Sequence, residues 1–359
     1  MELKRHFYNR VEYSRLVLMI LAVLTAYSSF TGTLSYLPPL LNFSYCALFA
    51  FYGYFVLSGS KSQYKRSIKS LATVFIILAV TYFALSLVYG LISGLSIGEF
   101  VSAYITKRSI FNFLVLNYWP FPVGSNIWVI QSALYAMVIF YLLDEIDLLK
   151  KIEIPLCVIL FILAFFLGDG AKIINFNILD YTYIPGNFLT RAMPYMLLGR
   201  IYLKNKKKFT KQRNLLTAIF SISGIALVYL EIYLLMITDK FGYYNHLLGF
   251  IPITLAILLF SFYRNKDKGY NFKYCKTCKT FYSVIFFTYE PLETLTELFF
   301  KAIFDLDQMK EQSLNLYKFI LNIRGPVAII LAILIGLAIE SIMNKPKAAI
   351  TEGANDIAV

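Results

Sequence analysis

Charge is what this chain has least of. Asp, Glu, Lys and Arg together make up 15% of its 359 residues, where a soluble domain carries about one quarter. Histidine is scarcer still. His6 and His246 are the only two, and neither has a Ser or Cys partner at a recognisable spacing, which removes a nucleophile triad. No Walker-type loop, dinucleotide fingerprint or zinc-protease helix occurs. The four cysteines build no disulfide framework. Cys46 and Cys157 lie inside apolar runs and read as small core residues. Cys275 and Cys278 form one CxxC in a lysine-rich loop; with no second pair and no nearby His it is a weak zinc signal, and no metal site is expected. On the cytosolic side those thiols would be reduced. No small-residue cleavage site follows the first apolar run, so the expectation is an uncleaved signal-anchor rather than a cleaved leader.

What the chain has in excess is apolar surface: 58% hydrophobic residues, 17% aromatic, and a mean hydropathy of +0.64. This is the composition of a polytopic membrane protein. The formal net charge of +13 does not indicate nucleic acid, because the basic residues fall in short clusters between hydrophobic runs, as juxtamembrane anchors do. Ten spans are expected, near 14–34, 38–58, 71–93, 127–144, 152–168, 187–203, 215–237, 247–263, 281–300 and 321–343. With the N-terminus inside, the loops left outside hold only Lys107, Arg108, Lys172, Lys240, Lys301, Lys310 and Lys318. Most of the remaining cations fall on the inner side, which gives N-in, C-in by the positive-inside rule. The fold class expected is therefore all-α, a bundle of about ten transmembrane helices in the cell membrane. Residues 1–343 form one domain, and 344–359 form a disordered cytoplasmic tail. No internal repeat is visible, which argues against a repeat-built transporter.

The longest outer loop, near 95–126, carries Trp119-Pro120-Phe121-Pro122-Val123-Gly124. Two readings stand side by side: an aromatic anchor at the interface, or a structured loop folded back over the bundle. Inside the spans, Arg191, Glu290 and Glu231 are ionisable residues that lipid alone would penalise, and such residues face a bundle interior or a cavity. Glu290 is followed by Pro291, which distorts a helix. Arg191 and Glu290 read as functional. Glu231 could be functional or could snorkel from the outer half of its span. Asn42 and Gln131 read as interhelical hydrogen-bonding residues. On the inner side, Lys61, Lys65, Arg66 and Lys69 read first as a membrane anchor, and could also grip a polyanion such as a nucleotide diphosphate.

Several of these segments, in this order, resemble the integral-membrane acyltransferase family 3. That family includes O-acetyltransferases of bacterial surface polysaccharides and the membrane acyltransferase of the intercellular-adhesin locus. Arg15 before an apolar helix resembles the family's first span, where an Arg precedes a His by about three turns. Phe55-Val56-Leu57-Ser58-Gly59 resembles its "FFxLSG" segment, and Arg66-x-x-Lys69 the basic pair that follows. Tyr282-Ser283 with Phe286-Phe287-Thr288-Tyr289-Glu290-Pro291-Leu292 resembles the late "SxxIYxxHEPL" segment. Ile127-Trp128-Val129 and Arg191-Ala192-Met193-Pro194-x-x-x-x-Gly199 are weaker matches. The resemblance covers most of the chain.

It implies a membrane-bound enzyme that transfers an acyl group, acetyl in the commonest case, from acyl-coenzyme A to a hydroxyl of a cell-surface polysaccharide or glycolipid. Acyl-coenzyme A is the co-substrate, and no permanently bound cofactor is expected. Arg15, Arg66 and Lys69 would hold the donor. Arg191, Trp128 and Glu231 would contact the acceptor. The family's first-span His falls at Ala26 or, better, Tyr27, and its late His falls at Tyr289. A phenol titrates near 10 and His near 6.5, so tyrosine is the poorer base at neutral pH. The catalytic assignment therefore goes to Glu290 with Tyr27 and Tyr289 beside it, or the base has moved to Glu231. The other class of reading is a non-catalytic descendant serving polysaccharide export or assembly.

Overall fold

The computed structural model describes residues 8–25, 40–57, 61–124, 126–168, 170, 173, 187–209, 212–237, 247–262, 272–303 and 313–343. Tyr27, Ser58, Gly59 and residues 344–359 lie outside the described residues. Among the described residues there is no strand. Twelve helices follow one another: α1 Tyr8–Thr25, α2 Phe43–Val56, α3 Lys61–Ile92, α4 Ile97–Tyr104, α5 Lys107–Leu116, α6 Ile127–Glu145, α7 Leu149–Phe166, α8 Met193–Phe209, α9 Arg213–Ile237, α10 Leu247–Ser261, α11 Phe272–Ile303 and α12 Leu314–Met343. A π-helical turn, Phe188–Ala192, runs directly into α8. All but α4 and α5 overlap the expected spans. Four helices are long and apolar enough to cross a membrane (α3, α6, α9 and α12, the last over Leu314–Ile339), and α2 and residues 248–261 of α10 are shorter apolar helices. The outward faces of α3 and α9 carry Ile76, Ile77, Val80, Ile222 and Tyr229, all well exposed. A soluble bundle would place polar side chains there.

Helix boundaries differ from the expectation where the polar ends continue the helix. α3 begins at Lys61 rather than 71, so Lys61, Lys65, Arg66 and Lys69 lie on its first turns, exposed. α11 begins at Phe272. The Cys275–Cys278 pair therefore sits on a helix and not in a loop, and Cys278 is buried. Neither Pro nor Gly interrupts residues 272–290, so nothing stops the helix from extending inward past the apolar run.

Two hydrophobic clusters organise the packing. The first is centred on α2, with α6, α7, α8 and α10 around it. α2 and α8 cross at unusually small separation. A Cβ on Gly199 would lie 1.9 Å from the Ala50 carbonyl oxygen, and one on Gly53 would lie 2.0 Å from that of Met196. This is the small-residue contact by which membrane helices approach backbone to backbone. The second cluster joins α1, α3, α6, α11 and α12 around Trp119 and Val123 of the long loop. α1 borders both, and a 2.7 Å hydrogen bond from the Ser261 hydroxyl to Ser14 ties it to the end of α10.

The long loop folds back over the bundle. It opens with two short helices, each started by a reciprocal cap: Ser96 with Glu99 on α4, and Thr106 with Ser109 on α5. The Glu99 carboxylate accepts from the Ser96 amide at 2.8 Å and from its hydroxyl at 2.7 Å, and these bonds hold its pKa below the ordinary carboxylate value. α5 then lies against α3, with Phe113 stacked on Phe75, and Gln131 of α6 donates to the Phe113 carbonyl at 2.7 Å. Gln131 thus has the interhelical role expected of it. The return stretch buries Trp119, whose indole donates to the Val123 carbonyl at 2.6 Å, while the Val123 amide donates to Ser86 of α3 at 3.1 Å. Gly124 has φ +108 and packs on the Tyr82 ring, with no room for a side chain.

Candidate functional site

The loop ends on α11, at the residues where that helix is weakest. Pro291 has no amide hydrogen, so the Phe287 carbonyl one turn earlier has no helical donor. The Tyr82 hydroxyl donates to it at a long 3.5 Å. Beside it, the Asn126 side-chain amide donates to the Phe286 carbonyl at 3.2 Å, and the Asn126 backbone amide donates to Glu290 Oε1 at 2.9 Å. A carbonyl freed by a proline in an apolar medium must find a donor; Tyr82 supplies it at Phe287, and the returning loop gives the neighbouring Phe286 carbonyl a further donor. Glu290 is 5% exposed and Tyr289, next to it, 1%.

Three further elements reach the same place. Tyr45 on α2 donates its hydroxyl to the Ala22 carbonyl of α1 at 2.9 Å. Its ring sits 5.2 Å from that of Trp128 on α6. The Arg191 guanidinium lies 5.4 Å above the Trp128 ring centroid, an arrangement in which the ring's negative face meets a cation. Arg191 is 6% exposed, makes no ion pair among the described residues, and its Nε has no hydrogen-bond partner there. The π-helical turn aims it: Asn187 caps that turn by accepting from the Leu189 and Thr190 amides at 2.9 and 3.1 Å. A π turn widens the helix by one residue and so re-aims a side chain.

The sequence-derived residues therefore divide. Glu290 and Arg191 are brought to the start of α6, by Asn126 and Trp128 respectively, and Tyr289 is buried beside Glu290 on α11. Tyr27 lies outside the described residues; α1 is described up to Thr25, whose hydroxyl donates to the same Ala22 carbonyl at 2.6 Å. Arg15 is elsewhere, paired with Glu12 at 3.1 Å and 4.7 Å over the Tyr282 ring. Tyr282 precedes Tyr289 on α11 by two turns, or about 10 Å along the axis. Arg66 and Lys69 are exposed on the first turns of α3. Glu231 is fully buried, and its two carboxylate oxygens accept from the Leu248 and Gly249 amides at 2.9 and 3.3 Å. It caps the N-terminus of α10, where unpaired amides and the helix dipole favour an anion.

Sequence reasoning missed Asn126, Tyr45 and Tyr82. Asn126 carried a usable signal, as the polar residue that ends a Pro/Gly-rich loop immediately before an apolar helix. Tyr45 and Tyr82 carried none, being two of 28 tyrosines. A second buried polar group was also not anticipated. Arg200 of α8 pairs with Glu153 of α7 at 3.2 Å and with Asp144 of α6 at 3.8 Å, joining the end of α6 and the start of α7 to the middle of α8. Among the described residues, no group of three metal-binding side chains occurs.

No protein-family model matches the chain, and no curated protein or solved structure matches it either.

Proposed function

We propose that this is a ten-span plasma-membrane acyltransferase, N-in and C-in, that moves an acyl group from acyl-coenzyme A to a hydroxyl of a cell-surface polysaccharide or glycolipid. One observation carries the reading. Glu290 and Arg191, 99 positions apart and singled out in two separate resemblance segments, are both held by the start of α6: Glu290 accepts from the Asn126 amide at 2.9 Å and Arg191 lies 5.4 Å over the Trp128 ring. A buried carboxylate and a buried guanidinium held by one helix end are what hydroxyl acylation needs. The acceptor hydroxyl gives its proton to Glu290, and its oxygen attacks the thioester carbonyl. Arg191 stabilises the negative charge that builds on that carbonyl oxygen. The C–S bond then breaks, and coenzyme A leaves as the thiol after taking the proton back. Arg15, above Tyr282, marks the inward approach for the donor, with Arg66 and Lys69 at the surface for its phosphates.

The test is the acyl content of surface polysaccharide in a deletion strain complemented with wild type or Glu290→Gln. The expected result is loss on deletion, recovery with wild type and no recovery with Glu290→Gln. Full recovery with that variant removes Glu290 from the chemistry, and no loss on deletion removes the activity.

A second reading has its own observation. Glu290 also clamps the loop through the Asn126 amide, a role that needs no chemistry. A non-catalytic descendant in polysaccharide export or assembly would keep that clamp. Tight binding of acyl-coenzyme A to the purified protein counts against this second reading.

A further inference from the structure

A groove of about 370 Å³ opens between α9 and α10, far from Glu290 in the chain and lined by different residues. Its α9 wall is Thr217, Ser221 and Ile225, and its α10 wall includes Ile253 and Ile257. Phe43 and Phe260 are also part of the lining. Ile225 and Phe260 are more than half exposed, so the groove opens sideways.

The α9 wall changes character along its length. Arg213, Thr217, Ser221 and Ile225 succeed one another at intervals of four and so lie on one stripe of the helix. The stripe runs from a cation through two hydroxyls to an apolar side chain over about 18 Å. The Thr217 hydroxyl is buried without a hydrogen-bond partner among the described residues. At the Phe260 end a second cation is present: the Arg10 guanidinium lies 5.8 Å from the Phe260 ring centroid. The order of cations, hydroxyls and apolar slot matches the order of phosphate, ester and acyl chain in a phospholipid.

We propose that this groove is a binding site for one anionic phospholipid, its phosphate held at the Arg10–Arg213 end and one acyl chain laid between α9 and α10. Charge complementarity selects the occupant. Arginines favour an anionic head group over a zwitterionic one. A free fatty acid would leave the Thr217–Ser221 level without an ester. The site does not depend on acyl transfer; it requires only that α9 lie in a bilayer.

The experiment is native mass spectrometry of the full chain purified from bilayers of equal phosphatidylglycerol and phosphatidylcholine. Wild type is expected to retain one phosphatidylglycerol per chain, enriched roughly thirtyfold over phosphatidylcholine, the scale that two arginines give at an anionic head group. Ser221→Trp, which fills the slot, is expected to lose that lipid. Arg10→Gln with Arg213→Gln is expected to keep a lipid but lose the preference, and these surface changes remain informative if Ser221→Trp does not fold. Equal retention of both lipids by wild type overturns the proposal. So does retention unchanged in folded Ser221→Trp, recovery of free fatty acid in place of phospholipid, or a wild-type dimer that Ser221→Trp dissociates.

Discussion

The Asn126 backbone amide and the Glu290 carboxylate, 164 positions apart, meet at 2.9 Å. The same asparagine donates its side-chain amide to the Phe286 carbonyl on the preceding turn of α11. One residue at the end of the long loop therefore satisfies a carboxylate and a carbonyl on the helix that Pro291 disturbs. Loop and helix hold each other in place, and the position of Glu290 depends on both.

That clamp separates two substitutions. Glu290→Gln keeps an acceptor oxygen for the Asn126 amide. Glu290→Ala leaves a buried N–H unsatisfied, at a cost of about 1–3 kcal/mol. In thermal unfolding of the purified protein, the Ala variant is expected to melt well below wild type and the Gln variant close to it. Equal melting of all three would show that the contact holds nothing.

Glu231 is expected to behave in the opposite way to Glu290 in an activity assay. Its two acceptor oxygens cap α10, so Glu231→Ala loses about 0.5–2 kcal/mol of stability, the range for loss of a cap. Polysaccharide acyl content per folded molecule stays at the wild-type level. A fall in acyl content with unchanged melting would move Glu231 from the fold into the chemistry.

The α2–α8 crossing tolerates no side chain at Gly199. Gly199→Leu forces atoms into the Ala50 backbone, and overpacking of this kind costs at least about 1–3 kcal/mol. Gly98 of α4, where an added Cβ meets nothing within 4 Å, provides the control: Gly98→Ala should stay within about 0.5 kcal/mol, as open surface sites do. Monodisperse yield and melting temperature read both. Wild-type melting of Gly199→Leu would mean that the helices sit farther apart.

The α4 cap sets a pH dependence confined to the loop. Bonds from Ser96 lower the Glu99 pKa in the folded state. Their contribution is therefore fully present above the ordinary carboxylate pKa, about 4.3, and is lost as pH falls through the lowered folded value. The protection factor for amide exchange at the start of α4 is expected to fall across that acidic window in wild type. In Glu99→Gln protection should be lower at neutral pH and constant across the window. A window unchanged in Glu99→Gln would assign the titration elsewhere.

The helices were legible in the sequence because long apolar runs between basic clusters leave few alternatives, and every expected span overlaps a helix. Their ends were not legible. Lys61–Lys69 and Phe272–Lys279 read as loops by polarity, yet no residue there breaks a helix. The capping pairs Ser96/Glu99 and Thr106/Ser109 spelled out α4 and α5 in a stretch read only as irregular. Within the site, Glu290 and Arg191 stood out because an ionisable group in an apolar run is costly. Their neighbours did not, since a tyrosine in a tyrosine-rich chain gives no local sign that its hydroxyl meets a carbonyl from a distant helix. Glu231 raised the same alarm as Glu290 and has a capping role, which only the position of α10 reveals.

The seating of α1 bears on how the molecule is made. α1 packs against α2, but also against α10, α11 and α12, and Ser14 bonds to a residue 247 positions later. α1 leaves the ribosome well before α10, α11 and α12, and waits for them. Until they arrive, Arg15 lacks the Tyr282 ring and Ser14 lacks Ser261. The nascent chain therefore carries α1 with its polar groups unmatched until α10 and α11 are made.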